Sequence, residues 1–90
     1  MKNYALEFTT ESEREFLSLP GDVQWRIKKK MEFFVRAENP LAYAKKLHGT
    51  DDKYRFRIGD YRVIVAPKNR TTIIVILLIL KIGHRREVYE

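Results

Sequence analysis

Three arginines lie close together in the second half of the chain, at Arg55, Arg57 and Arg62, on either side of the pair Gly59-Asp60. A guanidinium group is planar, stays protonated near neutral pH and matches the oxygens of a phosphate with paired N–H donors. Arginines at this spacing indicate a site for a polyanion, and the C-terminal residues favour RNA as that polyanion.

A second group of charged and aromatic residues lies near the C-terminus: Lys81, His84, Arg85, Arg86 and Tyr89. Lys81 and Arg86 add general attraction to phosphate. Cleavage of RNA by its own 2′-hydroxyl needs a base, an acid and cations that stabilise the phosphorane. Arginine suits only the last role, so proton transfer is predicted to fall to His84, Tyr89 or a nearby lysine. The Tyr89 ring can also stack on a base. The alternative for His84 is a solvated residue that ends a strand.

The Gly59-Asp60 pair predicts how the arginines are arranged. The β-rich segments 53–58 and 61–66 flank it, which is typical of a hairpin with a two-residue loop. Such a loop sets Arg57 opposite Arg62 and Arg55 opposite Ile64. Side chains alternate along a strand, so the three arginines share one face of the sheet, called here the arginine face. The opposite face, predicted to be the core, carries Tyr54, Phe56, Ile58, Tyr61, Val63 and Val65.

Like charges that face each other across two strands are unfavourable by up to about 1 kcal/mol. Folding alone gives no reason to place three arginines together, whereas an anion bound between them would offset the repulsion. The alternative is that Asp51, Asp52 or Glu87 pairs with the arginines, or that the arginines extend separately into solvent.

The elements that position these residues are predicted from periodicity. Tyr4–Phe8 forms a short strand, and Thr10 with Glu13 forms a capping box for a first helix that reaches about Leu19. Phe16 and Leu17 are expected to point inward. A second helix begins near Asp22, and its apolar stripe is Val23, Ile27, Met31, Phe34 and Val35.

The second helix ends at Asn39-Pro40, and two of its aromatic residues, Trp25 and Phe33, fall outside the stripe. They are expected to complete the core, the alternative being an exposed surface for a partner helix. After the hairpin, 67–70 turns the chain, 71–80 forms a central strand, and a basic tail runs from 81 to 90. The order β-α-α-β-β-β predicts a single α+β domain over 1–90, an antiparallel sheet with the N-terminal α-hairpin packed on one face.

Composition limits the function classes. The net charge of +6 favours a polyanionic partner. The absence of cysteine excludes disulfides and Cys-based zinc sites, and His48 and His84 are too far apart to suggest another metal site. No cofactor is implied. The longest apolar stretch, 73–80, is too short to span a bilayer, so a cytoplasmic protein with no membrane role is expected.

The chain resembles the RelE toxins of the RelE/ParE superfamily over nearly all its length. The resemblance rests on Leu47-His48-Gly49, on the segment YRFRIGDYRVI at 54–64, and on IGHRREVY at 82–89. It implies a toxin of a type II toxin–antitoxin system with an α-hairpin on an antiparallel sheet. The RelE branch enters the ribosomal A site and cleaves mRNA, the ParE branch poisons DNA gyrase, and a cognate antitoxin wraps around and neutralises either toxin.

The resemblance also implies residue roles. Arg55 and Arg57 stand where RelE proteins often have functional lysines, and Arg62 matches their hairpin arginine. Arg85 matches the tail arginine that stabilises the transition state or acts as the acid, and Tyr89 matches the aromatic that orients the nucleotide. The expected catalytic residues are Arg62, His84, Arg85 and Tyr89, and the expected RNA-binding residues are Arg55, Arg57, Lys81 and Arg86.

Arginine in place of both lysines removes the usual candidate base, so three functions stay open. The first is a ribosome-dependent mRNA endoribonuclease. The second is a ParE-like gyrase inhibitor without nuclease activity, and the third is a degenerate member that only binds its antitoxin. The partners implied are a RelB-like antitoxin in a toxin–antitoxin hetero-oligomer, the ribosome and mRNA.

Overall fold

The helices and strands follow the predicted order, with one strand added. A computed structural model describes residues 3–49, 52–68, 71 and 73–88. The elements are β1 (Asn3–Phe8), α1 (Thr10–Leu17), α2 (Gly21–Arg36), a 3₁₀ helix (Pro40–Tyr43), β2 (Ala44–Lys46), β3 (Tyr54–Ile58), β4 (Tyr61–Lys68) and β5 (Ile74–His84). The α+β class and the N-terminal α-hairpin are therefore confirmed.

The strands form one sheet in the order β1-β5-β4-β3-β2. The pairs β5–β4, β4–β3 and β3–β2 are antiparallel, as predicted for the sheet, but β1 runs parallel to β5. The prediction of a wholly antiparallel sheet was wrong at this edge, because the long connection that brings two parallel strands together leaves no local turn signal. β2, which pairs with β3, was not predicted.

β4 and β5 both extend beyond their predicted ends. The predicted turn at 67–70 begins too early, because Pro67 is a buried residue of β4 and pairs with Leu77. β4 has no β3 neighbour beyond Val65, so a residue without an N–H is tolerated there. β5 starts at Ile74 and continues through the predicted tail to His84, because β4 offers it pairing partners as far as Tyr61.

The N-cap of the first helix lies one residue earlier than predicted. Thr9, not Thr10, is the N-cap, and its hydroxyl accepts a hydrogen bond from the Ser12 N–H at 3.0 Å. Ser12 takes the role predicted for Glu13. Phe16 is half-buried as predicted, but Leu17 is 62% exposed. Successive helical residues differ by about 100° in direction, so this short helix turns only one of the two toward the sheet.

The core lies between the helices and one face of the sheet. The predicted stripe of α2 is confirmed, since Val23, Ile27, Met31 and Phe34 are buried and Val35 packs against them. The expectation that Trp25 and Phe33 complete the core was wrong, because they are 64% and 55% exposed. Among the described residues, none of the helices combines the length and the apolar character needed to cross a bilayer.

A buried serine attaches α1 to β5 at the point where β1 ends. Ser12 is 0% exposed, and its hydroxyl accepts from the Thr9 N–H at 3.0 Å and donates to the Ile79 carbonyl at 2.7 Å. The Thr9 N–H also reaches the Ile79 carbonyl, at 3.2 Å. One hydroxyl therefore satisfies the helix start and a strand carbonyl together.

Replacing Ser12 with alanine is predicted to lower the free energy of unfolding by about 1–3 kcal/mol, because the buried Ile79 carbonyl loses its short hydrogen bond. Urea denaturation measures the change. The control is Ser18→Ala, since the exposed Ser18 hydroxyl also donates to a carbonyl, that of Glu15 at 2.7 Å. We expect the control to change stability by less than about 0.5 kcal/mol. Equal losses in the two variants would contradict the role assigned to Ser12.

Candidate functional site

The hairpin that carries the arginines has the predicted register. Ile58 pairs with Tyr61, Arg57 with Arg62, Phe56 with Val63 and Arg55 with Ile64. Gly59 has a φ of 58°, in the left-handed region that favours glycine, so the tight turn depends on this residue. Phe56 and Val63 are completely buried on the helix side, which leaves Arg55, Arg57 and Arg62 on the other face of the sheet.

Arg62 lies at the centre of the arginine face. Its Nη1 donates to the Gly59 carbonyl at 2.9 Å and to the Tyr61 carbonyl at 3.0 Å, so the guanidinium is held against the turn. Desolvation lowers the pKa of Arg62, and the positive charges of Arg57, Arg55 and Arg85 lower it further, while Asp60 opposes the shift. Arg62 therefore experiences the charge of three other arginines at once.

Arg85 joins the arginine face because the chain after β5 docks on the hairpin turn. The Arg85 N–H donates to the Asp60 carbonyl at 2.7 Å, and the Arg85 Nε lies 3.8 Å from the Asp60 Oδ1. Both side chains remain more than half exposed, so this ion pair is weak. Asp60 was not among the carboxylates predicted to pair with the arginines. It lies beside Arg85 because its carbonyl in the turn accepts the Arg85 N–H.

The residues after Arg85 fold back over the sheet. The N–H groups of Glu87 and Val88 reach the His84 carbonyl at 2.7 and 3.2 Å. Val88 is buried against Ile64 and Leu47 in a second small apolar cluster, which lies on the face away from the helices. The carboxylate of Glu87, one of the alternative partners of the arginines, lies above Gly83. Asp51 and the predicted catalytic residue Tyr89 lie outside the described residues.

His84 lies on the opposite side of the sheet from Arg57 and Arg62. It pairs with Tyr61, and the two rings meet edge to face with centroids 5.5 Å apart. Tyr61 packs against the core on the helix side. The His84 Nδ1 accepts a hydrogen bond from the Arg86 N–H at 3.2 Å.

The two remaining predicted RNA-binding residues, Lys81 and Arg86, are not among the charges that lower the pKa of Arg62 on the arginine face. The Lys81 ammonium lies 3.5 Å from the Glu15 Oε2 of α1, and the other oxygen of that carboxylate accepts the Ile82 N–H at 2.9 Å. Lys81 is therefore drawn toward α1 at the edge of β5. The Arg86 side chain is exposed in the turn after His84.

One cation that sequence reasoning missed extends the arginine face. Lys45 of β2 pairs directly with Arg55 and is exposed. The face thus holds two pairs of directly opposed like charges, Lys45 with Arg55 and Arg57 with Arg62. The segment Ala44-Lys45-Lys46-Leu47 does not alternate between apolar and polar residues, so this three-residue strand gave no strand signal in the sequence. A row of cations of this kind can hold successive phosphates and stabilise charge that develops on one of them.

Two comparisons with known proteins, one of family models and one of solved structures, find proteins of toxin–antitoxin systems. The family model for the ParE toxin of the type II toxin–antitoxin system parDE matches residues 6–89. The archaeal RelE–RelB complex of Pyrococcus horikoshii OT3 has a similar structure at 26% identity, with a TM-score of 0.71, over 96% of this chain and 99% of that chain. A comparison with curated proteins finds no match.

Two further solved structures show the same fold at lower identity. The toxin–antitoxin complex RelBE2 of Mycobacterium tuberculosis is 24% identical, with a TM-score of 0.72, over 92% of this chain and 99% of that chain. The intact RelBE complex of E. coli is 22% identical, with a TM-score of 0.71, over 90% of this chain and 95% of that chain.

The contact between Gly83 and the folded-back tail generates a prediction. A Cβ on Gly83 would lie 3.0 Å from the Val88 Cγ2, so Gly83→Ala should displace Val88 and lower the free energy of unfolding by about 1–3 kcal/mol. Gly21→Ala is the matched control, because nothing lies within 4 Å of a Cβ there. Chemical denaturation of both variants tests this. A Gly83→Ala protein as stable as the control would mean that the tail does not pack over Gly83.

Proposed function

The chain belongs to the ParE family of toxins of type II toxin–antitoxin systems, and we propose that it is a toxin that cleaves mRNA on the ribosome. The single observation that carries the proposal is the direct opposition of Arg57 and Arg62 on an exposed sheet face, with Arg55 and Arg85 in electrostatic reach. On a surface that meets only water, the two opposed guanidinium groups would simply repel each other. A bound phosphodiester would relieve this repulsion.

The proposed reaction is attack by the 2′-oxygen of one nucleotide on its own 3′-phosphate. The new O2′–P bond forms as the P–O5′ bond breaks, which leaves a 2′,3′-cyclic phosphate and a free 5′-hydroxyl. The 2′-hydroxyl proton passes to water, and the departing 5′-oxygen takes a proton from water. The contribution of Arg57, Arg62 and Arg85 is to stabilise the negative charge that accumulates on the phosphorane.

Substrate positioning carries the rest of the proposed catalysis. The guanidinium groups of the arginine face stay protonated and cannot accept a proton from the 2′-hydroxyl. Holding the 2′-oxygen in line with the P–O5′ bond can by itself supply a large part of the rate enhancement. A ribosome that presents the codon in this geometry would provide that alignment, which explains why the proposed cleavage depends on the ribosome.

A second candidate function is inhibition of DNA gyrase without cleavage. It is favoured by the family match, which is to a ParE toxin, and by the arginines at 55 and 57, where nuclease relatives are expected to carry lysines. The arginine face would then bind the DNA or an acidic surface of the gyrase complex. Gyrase supercoiling in the presence of the purified protein distinguishes this function from mRNA cleavage.

We further propose a RelB-like antitoxin as the partner, since the similar RelE proteins are found in complexes with RelB. The surface that supports this is formed by three exposed aromatic residues, Trp25, Phe33 and Tyr43, which are 64%, 55% and 53% exposed. Phe33 and Tyr43 meet edge to face at 5.9 Å. Large exposed aromatic side chains of this kind often dominate protein interfaces.

Arg62→Ala is predicted to slow mRNA cleavage by about 10²–10³-fold, because one fixed stabiliser of the phosphorane is lost. The measurement is primer extension on mRNA from a translation reaction with purified toxin. Arg14→Ala serves as the matched control, since Arg14 is exposed on α1 on the helix side of the sheet. It is expected to cleave like the wild type.

Intact mRNA at high concentrations of the wild-type protein would count against the nuclease. If the same preparation abolishes gyrase supercoiling, the second candidate replaces it. If the protein leaves both mRNA and supercoiling unaffected, and does not arrest growth when expressed alone, then it acts only by binding its antitoxin.

Truncation of the aromatic surface is predicted to weaken antitoxin binding. The double variant Phe33→Ala, Tyr43→Ala should raise the dissociation constant for the antitoxin at least about 30-fold, corresponding to about 2 kcal/mol of lost interface contacts. Calorimetric titration with the purified cognate antitoxin measures this. Leu17→Ala removes an equally exposed apolar side chain from α1 and should bind normally. An unchanged constant in the double variant would place the antitoxin elsewhere.

A further inference from the structure

We propose that His84 is a positioning residue that holds Arg85 in place, and that it is not the base or acid of the reaction. The proposal deepens the proposed function and rests on it, because Arg85 belongs to the face that would bind RNA. Three observations carry it: the hydrogen bond of the His84 Nδ1, the side of the sheet on which its ring lies, and the contacts of Arg85.

The hydrogen bonds around His84 are those of a β-turn closed by the side chain of its first residue. The His84 carbonyl accepts from the Glu87 N–H at 2.7 Å, and the His84 Nδ1 accepts from the Arg86 N–H at 3.2 Å. An asparagine or aspartate at the first position of such a turn makes the same side-chain bond, to the N–H two residues ahead. His84 therefore performs the role that these residues usually have.

This bond uses the only basic lone pair of the imidazole. A nitrogen that accepts a hydrogen bond carries no proton, so the proton of the neutral ring is on Nε2. A general base must have a free lone pair within hydrogen-bond reach of the hydroxyl it deprotonates. In the observed turn, Nδ1 is turned toward the Arg86 amide and Nε2 can only donate.

The ring also lies on the wrong side of the sheet for catalysis beside the arginines. His84 pairs with Tyr61, and their edge-to-face contact at 5.5 Å holds the imidazole over the side that packs against the helices. Arg62, one residue after Tyr61 on β4, points to the other side. The sheet itself thus separates the imidazole from the site of the reacting phosphate.

Arg85 is the second residue of the turn that His84 closes. The backbone N–H of Arg85 donates to the Asp60 carbonyl at 2.7 Å, and its charge contributes to the lowered pKa of Arg62. The hydrogen bond between the His84 Nδ1 and the Arg86 N–H joins the residues before and after Arg85. If this bond is lost and the turn opens, the Arg85 guanidinium is free to move away from Arg62. The effect of His84 on the reaction therefore passes through Arg85.

Two substitutions separate positioning from proton transfer. Asparagine places a carbonyl oxygen near the position of Nδ1 and cannot act as a base, whereas glutamine places its polar atoms near the position of Nε2 and leaves the Arg86 N–H without its acceptor. His84→Asn should cleave mRNA within about threefold of the wild type, and His84→Gln should be slower by roughly five- to tenfold, as expected for one lost hydrogen bond. His48→Gln, at an exposed position in the loop after β2, is the control.

The same proteins are compared by hydrogen exchange of the Arg86 amide, which does not depend on any activity. Protection of this amide should survive in His84→Asn and fall severalfold in His84→Gln. Losses of about a hundredfold or more in both variants would overturn the proposal, since that is the effect of removing a general acid or base. Equal protection of the amide in the two variants would overturn it as well. If the wild type does not cleave mRNA, the proposed function fails while the exchange measurement still decides the role of His84.

Discussion

The arrangement of the site depends on one tight turn that forces two like charges to face each other. Gly59 adopts a left-handed conformation with a φ of 58°, and the two-residue loop that results leaves Arg57 directly opposite Arg62. The same turn supplies the Gly59 carbonyl that accepts from Arg62 and the Asp60 carbonyl that accepts from the Arg85 N–H. Register, guanidinium orientation and docking of the tail thus have a common origin.

The helix side of the sheet makes this unfavourable arrangement tolerable. Phe56, Val63 and Val65 of the hairpin are completely buried beneath α2. Burial of each such side chain stabilises the fold by roughly 1.5–3 kcal/mol, whereas a pair of opposed like charges costs at most about 1 kcal/mol. Two such pairs are therefore outweighed by the core residues on the other side of the same strands. Burial on one side of the hairpin is therefore enough to keep the cations together on the other side, although their mutual repulsion does not stabilise the fold.

Sequence reasoning succeeded where structure is determined by near neighbours. A Gly-Asp pair between two alternating segments was enough to predict that Arg55 lies opposite Ile64 and Arg57 opposite Arg62. The apolar stripe of α2 was predicted for the same reason, since helical spacing is local. Contacts between residues distant in sequence were harder to predict. Nothing near β1 indicates that it runs parallel to β5, and nothing near Lys81 indicates that Glu15 lies beside it.

The exposed aromatics show a second limit, because periodicity indicates which face of a helix is apolar but not how many of its aromatic residues reach the core. Phe34 stacks on Phe56 with centroids 4.8 Å apart, whereas Trp25 and Phe33 of the same helix stay exposed. The charge of the arginine face also affects the stability of the fold. A lowered pKa means that the protonated form of Arg62 is disfavoured in the folded chain, so desolvation and the neighbouring positive charges weaken folding at every pH at which Arg62 is charged. An anion bound there would oppose the shift, because its negative charge favours the protonated form. Any polyanion that binds the arginine face, whether RNA or an acidic segment of a partner, would therefore stabilise the same fold, and the two would compete for one surface.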